Sequence, residues 1–459
     1  MRFDASILTP NPTTRQRITA VLEAALVAVD PVQATQAVVQ RQGDTLTVAG
    51  QSYALDRFQR ILVVGAGKAG APMAQAIEAV LGDRIRDGLV VVKTGHSAPT
   101  EKIEVVEASH PRPDAAGVAA GARILQLAES ATEHDLVIAL LSGGGSALLV
   151  GPADGLTLAD LQRLTDALLA SGATIHEVNT LRKHCETLKG GQLARAVAPA
   201  TLITLALSDV VGSPLDVIAS GPTVPDATTW EDAWTIVRRF DLETKLPAPI
   251  LARLKAGRAG EIADTPKADD PAFATSQTLV VADNRVAAQA AAARAKSLGY
   301  NVLLLTTYLD GEAAQVAKVA VALGREILAH GTPIAPPACL ILGGETVVTL
   351  GQSPGMGGRN QELVLAAAIA LEGNDPRTND QITIVSLATD GTDGPTDSAG
   401  GIADSSTVAR GRTQGLDAEE YLRGHNAYPY LRATHDLLMS GPTQTNVNDL
   451  VFVFVDKPI

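Results

Sequence analysis

Residues 61–81 read ILVVGAGKAGAPMAQAIEAVL: a short apolar run, a glycine turn carrying one lysine, then an alanine-rich stretch of helical length. The run Ile61 to Val64 does not alternate with polar residues, as expected of a parallel strand covered on both faces. The same pattern recurs on either side. Apolar runs at Leu89 to Val92, Leu136 to Leu141 and Leu202 to Leu207 are separated by helical stretches at Ala71 to Leu81, Ala115 to Ala128 and Leu158 to Ser171. Strands alternating with helices imply a doubly wound sheet. Upstream, Thr13 to Val39 has apolar residues at helical spacing and is expected to form an introductory helical region.

From Asp241 to Ser276 the chain turns polar and proline-rich, and then the alternation restarts with Leu279 to Ala282, Val302 to Leu305, Leu340 to Leu342, Ile382 to Leu387 and Val451 to Val455. The expectation is an α/β protein of two domains, a Rossmann-like one over 1–255 and a second over 256–459. Each would hold a mostly parallel sheet flanked by helices, with the active site in the cleft between them. A length of 459 residues fits two domains.

Composition excludes several classes. The net charge of −13 argues against a nucleic-acid partner, which needs a basic surface. No signal peptide and no membrane-spanning run is expected, and the two cysteines, Cys185 and Cys339, have no disulfide or zinc spacing. A reducing cytoplasmic location fits. The reading allows a homodimer without requiring one.

In an open parallel sheet, ligands bind beyond the carboxyl ends of the strands. After the first strand, Gly65, Gly67 and Gly70 match G-x-G-x-x-G, but the next strand ends at Val92-Lys93 where a dinucleotide site wants an acid for the ribose. Lys68 in that turn adds a positive charge at a helix start, suited to an anion. After Leu136 to Leu141 comes Ser142-Gly143-Gly144-Gly145-Ser146, whose glycines let backbone amides approach a phosphate or carboxylate. Asp209 follows the next strand and could hold Mg²⁺, accept a proton or cap a helix. The run Arg182-Lys183-His184 reads as a solvated helix face that could also offset the acidic background.

The second half has its own set. Gly343-Gly344-Glu345 follows one strand, and Gly357-Gly358-Arg359-Asn360 opens a helix, where the planar guanidinium suits a phosphate. Asp390, Asp393 and Asp397 share a loop that resembles a divalent-cation site but lacks an EF-hand's closing glutamate. The turn Gly441 to Asp449 reads as structural.

Taken together, GAGKA (65–69), SGGGSAL (142–148), RKHCETLKGG (182–191), SDVVG (208–212), ASGPT (219–223), GGET (343–346), GGRNQE (357–362), TDGTDGPTD (389–397) and TNVNDL (445–450) resemble the glycerate 2-kinase family, whose second domain is of MOFRL type and some of whose members are labelled hydroxypyruvate reductases. The resemblance implies ATP with Mg²⁺, D-glycerate as acceptor and 2-phosphoglycerate as product. It places Lys68 and Arg359 on the family's functional lysine and arginine. Met356, Gln444, Ser109 and the sequence Asn426-Ala427-Tyr428 depart from the family pattern.

The mechanism expected from these parts has Lys68 and Arg359 meeting the γ-phosphoryl from opposite domains and Ser142 to Ser146 cradling an anion. Gly65, Gly67, Gly343, Gly344, Gly357, Gly358 and Asn360 would complete the phosphate contacts. Asp209, Glu345, Asp390 and Asp393 are the candidate metal ligands, and Asp209 is also the candidate base. The rival reading is an NAD(P)H-dependent hydroxypyruvate reductase.

Overall fold

The computed structural model describes Phe3 and residues 12–351, 355–372 and 380–457. Two compact units divide the chain: Pro31–Val281 form one, and Met1–Asp30 with Ala282–Ile459 form the other. This differs from the division expected near residue 255. The run at Leu279 to Ala282 belongs to the last strand of the first sheet, and the helix Pro12–Ala28 belongs with the C-terminal half.

The unit Pro31–Val281 opens with a helix, Pro31–Val38, and a small antiparallel sheet of β1 (Val39–Gln42), β2 (Thr45–Val48) and β3 (Gln51–Ala54). Its main sheet comprises β4 (Arg60–Ala66), β5 (Ile85–Lys93), β6 (Glu104–Ala108), β7 (Asp135–Leu141), β8 (Thr201–Leu207) and β9 (Ser276–Ala282), in the order β6-β5-β4-β7-β8-β9. The pairs β4–β5, β4–β7, β5–β6 and β7–β8 are parallel. All residues of β7 and all but the first of β4 and β8 are buried, which is why their sequences are continuous apolar runs. The edge strand β6, Glu-Val-Val-Glu-Ala, carries two exposed glutamates and gives no such signal. Helix boundaries follow local chemistry. Leu158–Ser171 starts at a Thr157/Asp160 capping box and stops at Gly172 in the left-handed region, and Asp114 caps Ala115–Glu129.

This strand order puts a topological switch point between β4 and β7. From β4 the chain winds outward through β5 and β6, then returns to the other side with β7 and β8. The crevice beyond the carboxyl ends of β4 and β7 is therefore the expected ligand position, and the two glycine loops sit there.

The other unit holds β10 (Asn301–Leu309), β11 (Ala338–Gly344), β12 (Ile382–Ala388), β13 (Gly400–Ala403), β14 (Leu437–Leu438) and β15 (Asp449–Val455), in the order β10-β11-β15-β12-β13-β14. This sheet is mixed, not mostly parallel as expected. Only β10–β11 pair parallel; β15 inserts antiparallel between β11 and β12, and β13 and β14 add antiparallel pairs at the edge. An apolar run such as Val451 to Val455 records burial on both faces but not direction. The helix Arg359–Glu372 is buried around most of its surface, from Asn360 through Ala368. No single helix among the described residues is long and apolar enough to cross a membrane. Both cysteines are buried free thiols, with burial pushing Cys185 up to about 12 and Cys339 upward as well.

Candidate active site

The loop after β4 and the loop after β7 are bonded to each other. Lys68 N donates to Gly143 O (2.9 Å), Ala69 N to the Ser142 hydroxyl (3.0 Å) and Ser142 N to Ala66 O (3.1 Å). Gly143 and Gly144 have separate reasons to be glycine. A Cβ on Gly143 would stand 2.0 Å from Asp209 Oδ2, so the carboxylate of Asp209 lies directly on the loop. Gly144 has φ +82°, and a Cβ there would stand 3.1 Å from His110 Nε2 and 3.4 Å from Lys68 Cγ. The structure thus brings Lys68, Ser142, Gly143, Gly144 and Asp209 together. Gly65 and Gly67 close the same assembly, with Gly67 pressed against Ser142. Ser146 shares a hydrogen bond with Ser220 (2.8 Å), which in turn donates to Asn179 (2.9 Å).

The Lys68 ammonium makes no hydrogen bond or ion pair with any described residue, although the side chain is half-buried. Unpaired cations in partly buried positions are expensive unless a ligand answers them. Two histidines flank it, and sequence reasoning assigned neither to the site. His96 Nδ1 lies 3.2 Å from Lys68 O, and since a carbonyl only accepts, Nδ1 carries the hydrogen. His110 is pushed down to about 4, by burial first and then by the charges of Lys68, Lys93 and His96, so its imidazole is neutral at pH 7. The signal available for it was the departure at Ser109, one residue before.

The run Arg182-Lys183-His184 is not a solvated face. Lys183 is buried against Asp226 (3.2 Å) and reaches Asp216 (3.4 Å). His184 is buried beside Trp230, with Nδ1 facing Thr180 O and Nε2 facing Asp264. Lys189 is fully buried on Glu186 (2.7 Å) and Leu149 O. Its cations are consumed internally and cannot offset the acidic surface.

In the other unit, Arg359 is already engaged. Nε donates to Asp449 Oδ2 (2.5 Å), Nη2 to Asp449 Oδ1 (3.1 Å), and Nη1 pairs with Glu345 (2.9 Å). This leaves one hydrogen on each terminal nitrogen for a ligand. Burial works against the guanidinium's charge, and Asp449 more than restores it. Asp449 itself is pushed up to about 6 by burial, with Arg359 opposing. The turn before β15, read from sequence as structural, therefore supplies the carboxylate that orients Arg359. Asn284 donates to Val447 O and Asp449 O (both 2.9 Å) and holds that turn.

Asp393 accepts from the backbone amides of Asn360 (3.2 Å) and Gln361 (2.9 Å), so it caps the helix that starts at Arg359. A Cβ on Gly358 would strike this carboxylate. Asn360 is buried, bonded to Asp393 and Ser386, with its amide turned inward. Gly343 is backed by Asn284 and Gly344 by Leu309, which accounts for both glycines through packing. A cavity of about 440 Å³ opens beside Arg359, lined by Glu345, Val347, Val348, Leu350, Pro395, and by Glu362 paired with His425 (3.0 Å). Burial raises the Glu362 carboxyl.

Three of the four carboxylates proposed as metal ligands have partners within their own unit. Asp393 is spent on a helix start, Glu345 on Arg359 and Asn448, Asp390 on Thr392, and Asp209 belongs to the other unit. Among the described residues no three His, Cys, Asp or Glu side chains group as a metal site.

The switch-point crevice of the first unit is walled by two fused glycine loops with a lysine that is unpaired among the described residues, an arrangement of α/β enzymes that suits an anion, and the second unit by itself presents a carboxylate-oriented arginine. Sequence comparison sharpens this. Residues 17–255 match the family model described as a domain of unknown function (DUF4147), and residues 338–449 match the MOFRL family. The chain is similar to a glycerate 2-kinase of Pyrococcus horikoshii, 40% identical over 94% of this chain and 95% of that one. It is 42% identical to a D-glycerate 2-kinase of Thermotoga maritima, over 86% and 90% of the two chains. A solved glycerate kinase structure from Thermotoga maritima superimposes with TM-score 0.86 at 38% identity, covering 97% of this chain and all of that one. The chain belongs to the glycerate 2-kinase family.

Proposed function

We propose that this enzyme transfers the γ-phosphoryl group of ATP to the 2-hydroxyl of D-glycerate, giving 2-phosphoglycerate and ADP. The observation that carries the reading is the half-buried Lys68 ammonium, unpaired among the described residues, above the fused loops of Gly65–Gly70 and Ser142–Ser146. Phosphoryl transfer asks a protein chiefly for alignment and for neutralisation of charge on the transferring group. Lys68 and Arg359 are the two cations assigned to that task, with amides of the Ser142–Ser146 loop other than those of Ser142 and Gly145, which bond within the protein, holding an anionic group. Asp209, packed on Gly143, is the candidate acceptor for the hydroxyl proton. Mg²⁺ in this reading enters on the nucleotide's phosphates, as that ion commonly does, with few protein ligands. Two buried, high-pKa thiols suit a reducing cytoplasm.

Some relatives, among them a protein of Agrobacterium vitis, carry a provisional hydroxypyruvate reductase name. The chain disfavours that chemistry, because β5 ends in Val92-Lys93 without the acid that would hold a dinucleotide ribose. Phosphorus NMR of the product with glycerate and Mg-ATP should show 2-phosphoglycerate. NADH oxidation with hydroxypyruvate should be absent. Predominant 3-phosphoglycerate, or NADH turnover without ATP use, would overturn the assignment.

A further inference from the structure

The kinase reading leaves one polar group at the loops unused. His110 lies on Gly144 from the same side as Lys68: its Cδ2 and Nε2 are 3.0 and 3.1 Å from where a Cβ on Gly144 would stand, with Lys68 Cγ at 3.4 Å. The ring makes no hydrogen bond to any described residue, and it is only half-buried, so at least one nitrogen is open to a ligand. Two other histidines of this unit are not in this condition: His96 is tied to Lys68 O and His184 to Thr180 and Asp264. We infer that His110 is a further substrate-contacting residue, whose ring N–H donates to the carboxylate of the acceptor hydroxy acid and leaves Lys68 to the transferring phosphoryl group.

The chemistry of the neighbourhood favours this role over others. Burial first, and then the charges of Lys68, Lys93 and His96, keep the imidazole uncharged, so it sits beside Lys68 without repelling it. An uncharged, directional donor suits a planar carboxylate, whose two oxygens must be oriented for the hydroxyl beside them to react. The charge that grows on a transferring phosphoryl group is answered better by full cations. A proton acceptor, in turn, works best when its own pKa lies near the working pH, and this ring sits well below it. His110 therefore orients glycerate.

The inference rests on the glycerate kinase reading, so its test keeps the two apart. Wild-type enzyme is first assayed for ADP release with glycerate and Mg-ATP; absence of turnover there overturns the kinase reading itself. In an active enzyme, His110→Ala should raise the KM for glycerate about 10- to 100-fold, the loss of one hydrogen bond to a charged group, with the KM for ATP changed less than about threefold. His110→Gln, which keeps an N–H near the position of Nε2 but cannot take up a proton, should restore most of the lost glycerate affinity. An unchanged glycerate KM in a folded His110→Ala enzyme overturns the inference. So does a loss confined to kcat in which Gln is as poor as Ala, because that pattern marks a proton acceptor. If the variants do not fold, ¹⁵N-histidine spectra of the wild-type chain decide: glycerate should shift a neutral ring's N–H resonance, and a spectrum indifferent to glycerate overturns the assignment.

Discussion

Removing Arg359 should damage stability as well as catalysis, and the damage should depend on pH. Asp449 is 5% exposed at its side chain and receives two hydrogen bonds from the guanidinium, so Arg359→Ala strands a buried carboxylate. Breaking a buried pair from one side costs about 3–5 kcal/mol. Arg359 is itself 34% exposed, and solvent screening moves the expectation to the lower end, about 2–3 kcal/mol. The Asp449 carboxyl is already raised to about 6 with its partner present, and losing the cation raises it further. A raised folded-state carboxyl favours the native state most below its ordinary value near 3.8, and the advantage is lost as pH climbs through 6. The variant's deficit should therefore be small at pH 5.5, where Asp449 can protonate, and full at pH 8. Urea unfolding of the whole chain followed by circular dichroism measures it. Arg359→Ala combined with Asp449→Asn removes the stranded charge and should recover most of the stability at pH 8 but no turnover. Equal deficits at both pH values, or no recovery in the double variant, would refute the view that Asp449 exists to hold Arg359.

Arg359→Lys keeps the charge but cannot bridge Asp449 and Glu345 together, and turnover should fall on the order of 10² to 10³, mainly in kcat; unchanged steady-state constants would remove Arg359 from the reaction. Lys68→Ala, by contrast, deletes a side chain that no described residue pairs with, so activity should vanish while the melting temperature stays within a few degrees; simple unfolding would show that the residue is structural. A third expectation concerns acid. Burial pushes the Asp264 carboxyl up, but its bond to His184, the Thr265 amide and Lys267 together outweigh burial and draw it down to about 2. Its contribution is fully present above pH 3.8 and is lost as pH falls towards 2. Asp264→Asn should thus cost about 1–2 kcal/mol at pH 7 and almost nothing at pH 2, and a deficit that persists at pH 2 would contradict the pairing.

The first sheet was legible because its central strands are buried on both faces, and burial writes itself as uninterrupted Val, Leu and Ile. β4, β7 and β8 fall within a residue or two of the apolar runs. Strands whose stability comes from position were not legible. β6 is an edge with exposed glutamates, and β13 is Gly-Gly-Ile-Ala, held by its neighbours and not by propensity. The small sheet β1–β3 was absorbed into the helical and linking segments around it. Direction was equally hidden: nothing in Asp449–Val455 distinguishes an antiparallel insertion from a parallel strand. At the site, glycine spacing revealed the loops and Lys68, since close backbone approach demands glycine. Residues whose partners come from distant sequence stayed concealed. Asp449 finds Arg359 across 90 positions, and Asp393, which has a cation-loop pattern, turns out to cap a helix 34 residues upstream.

The placement of Pro12–Ala28 with the C-terminal unit has a temporal consequence. During synthesis, Pro31–Val281 is a continuous stretch that can complete its sheet as soon as β9 has emerged, while the other unit must wait. Its first helix leaves the ribosome some 250 residues ahead of the rest, and its sheet cannot close until β15 slides between β11 and β12, the last of the described strands to be made. Asp449 begins that strand. Arg359 is thus held in place only once β15 has been made, and a chain synthesised no further than β12 can carry a finished lysine loop with no ordered arginine to match it.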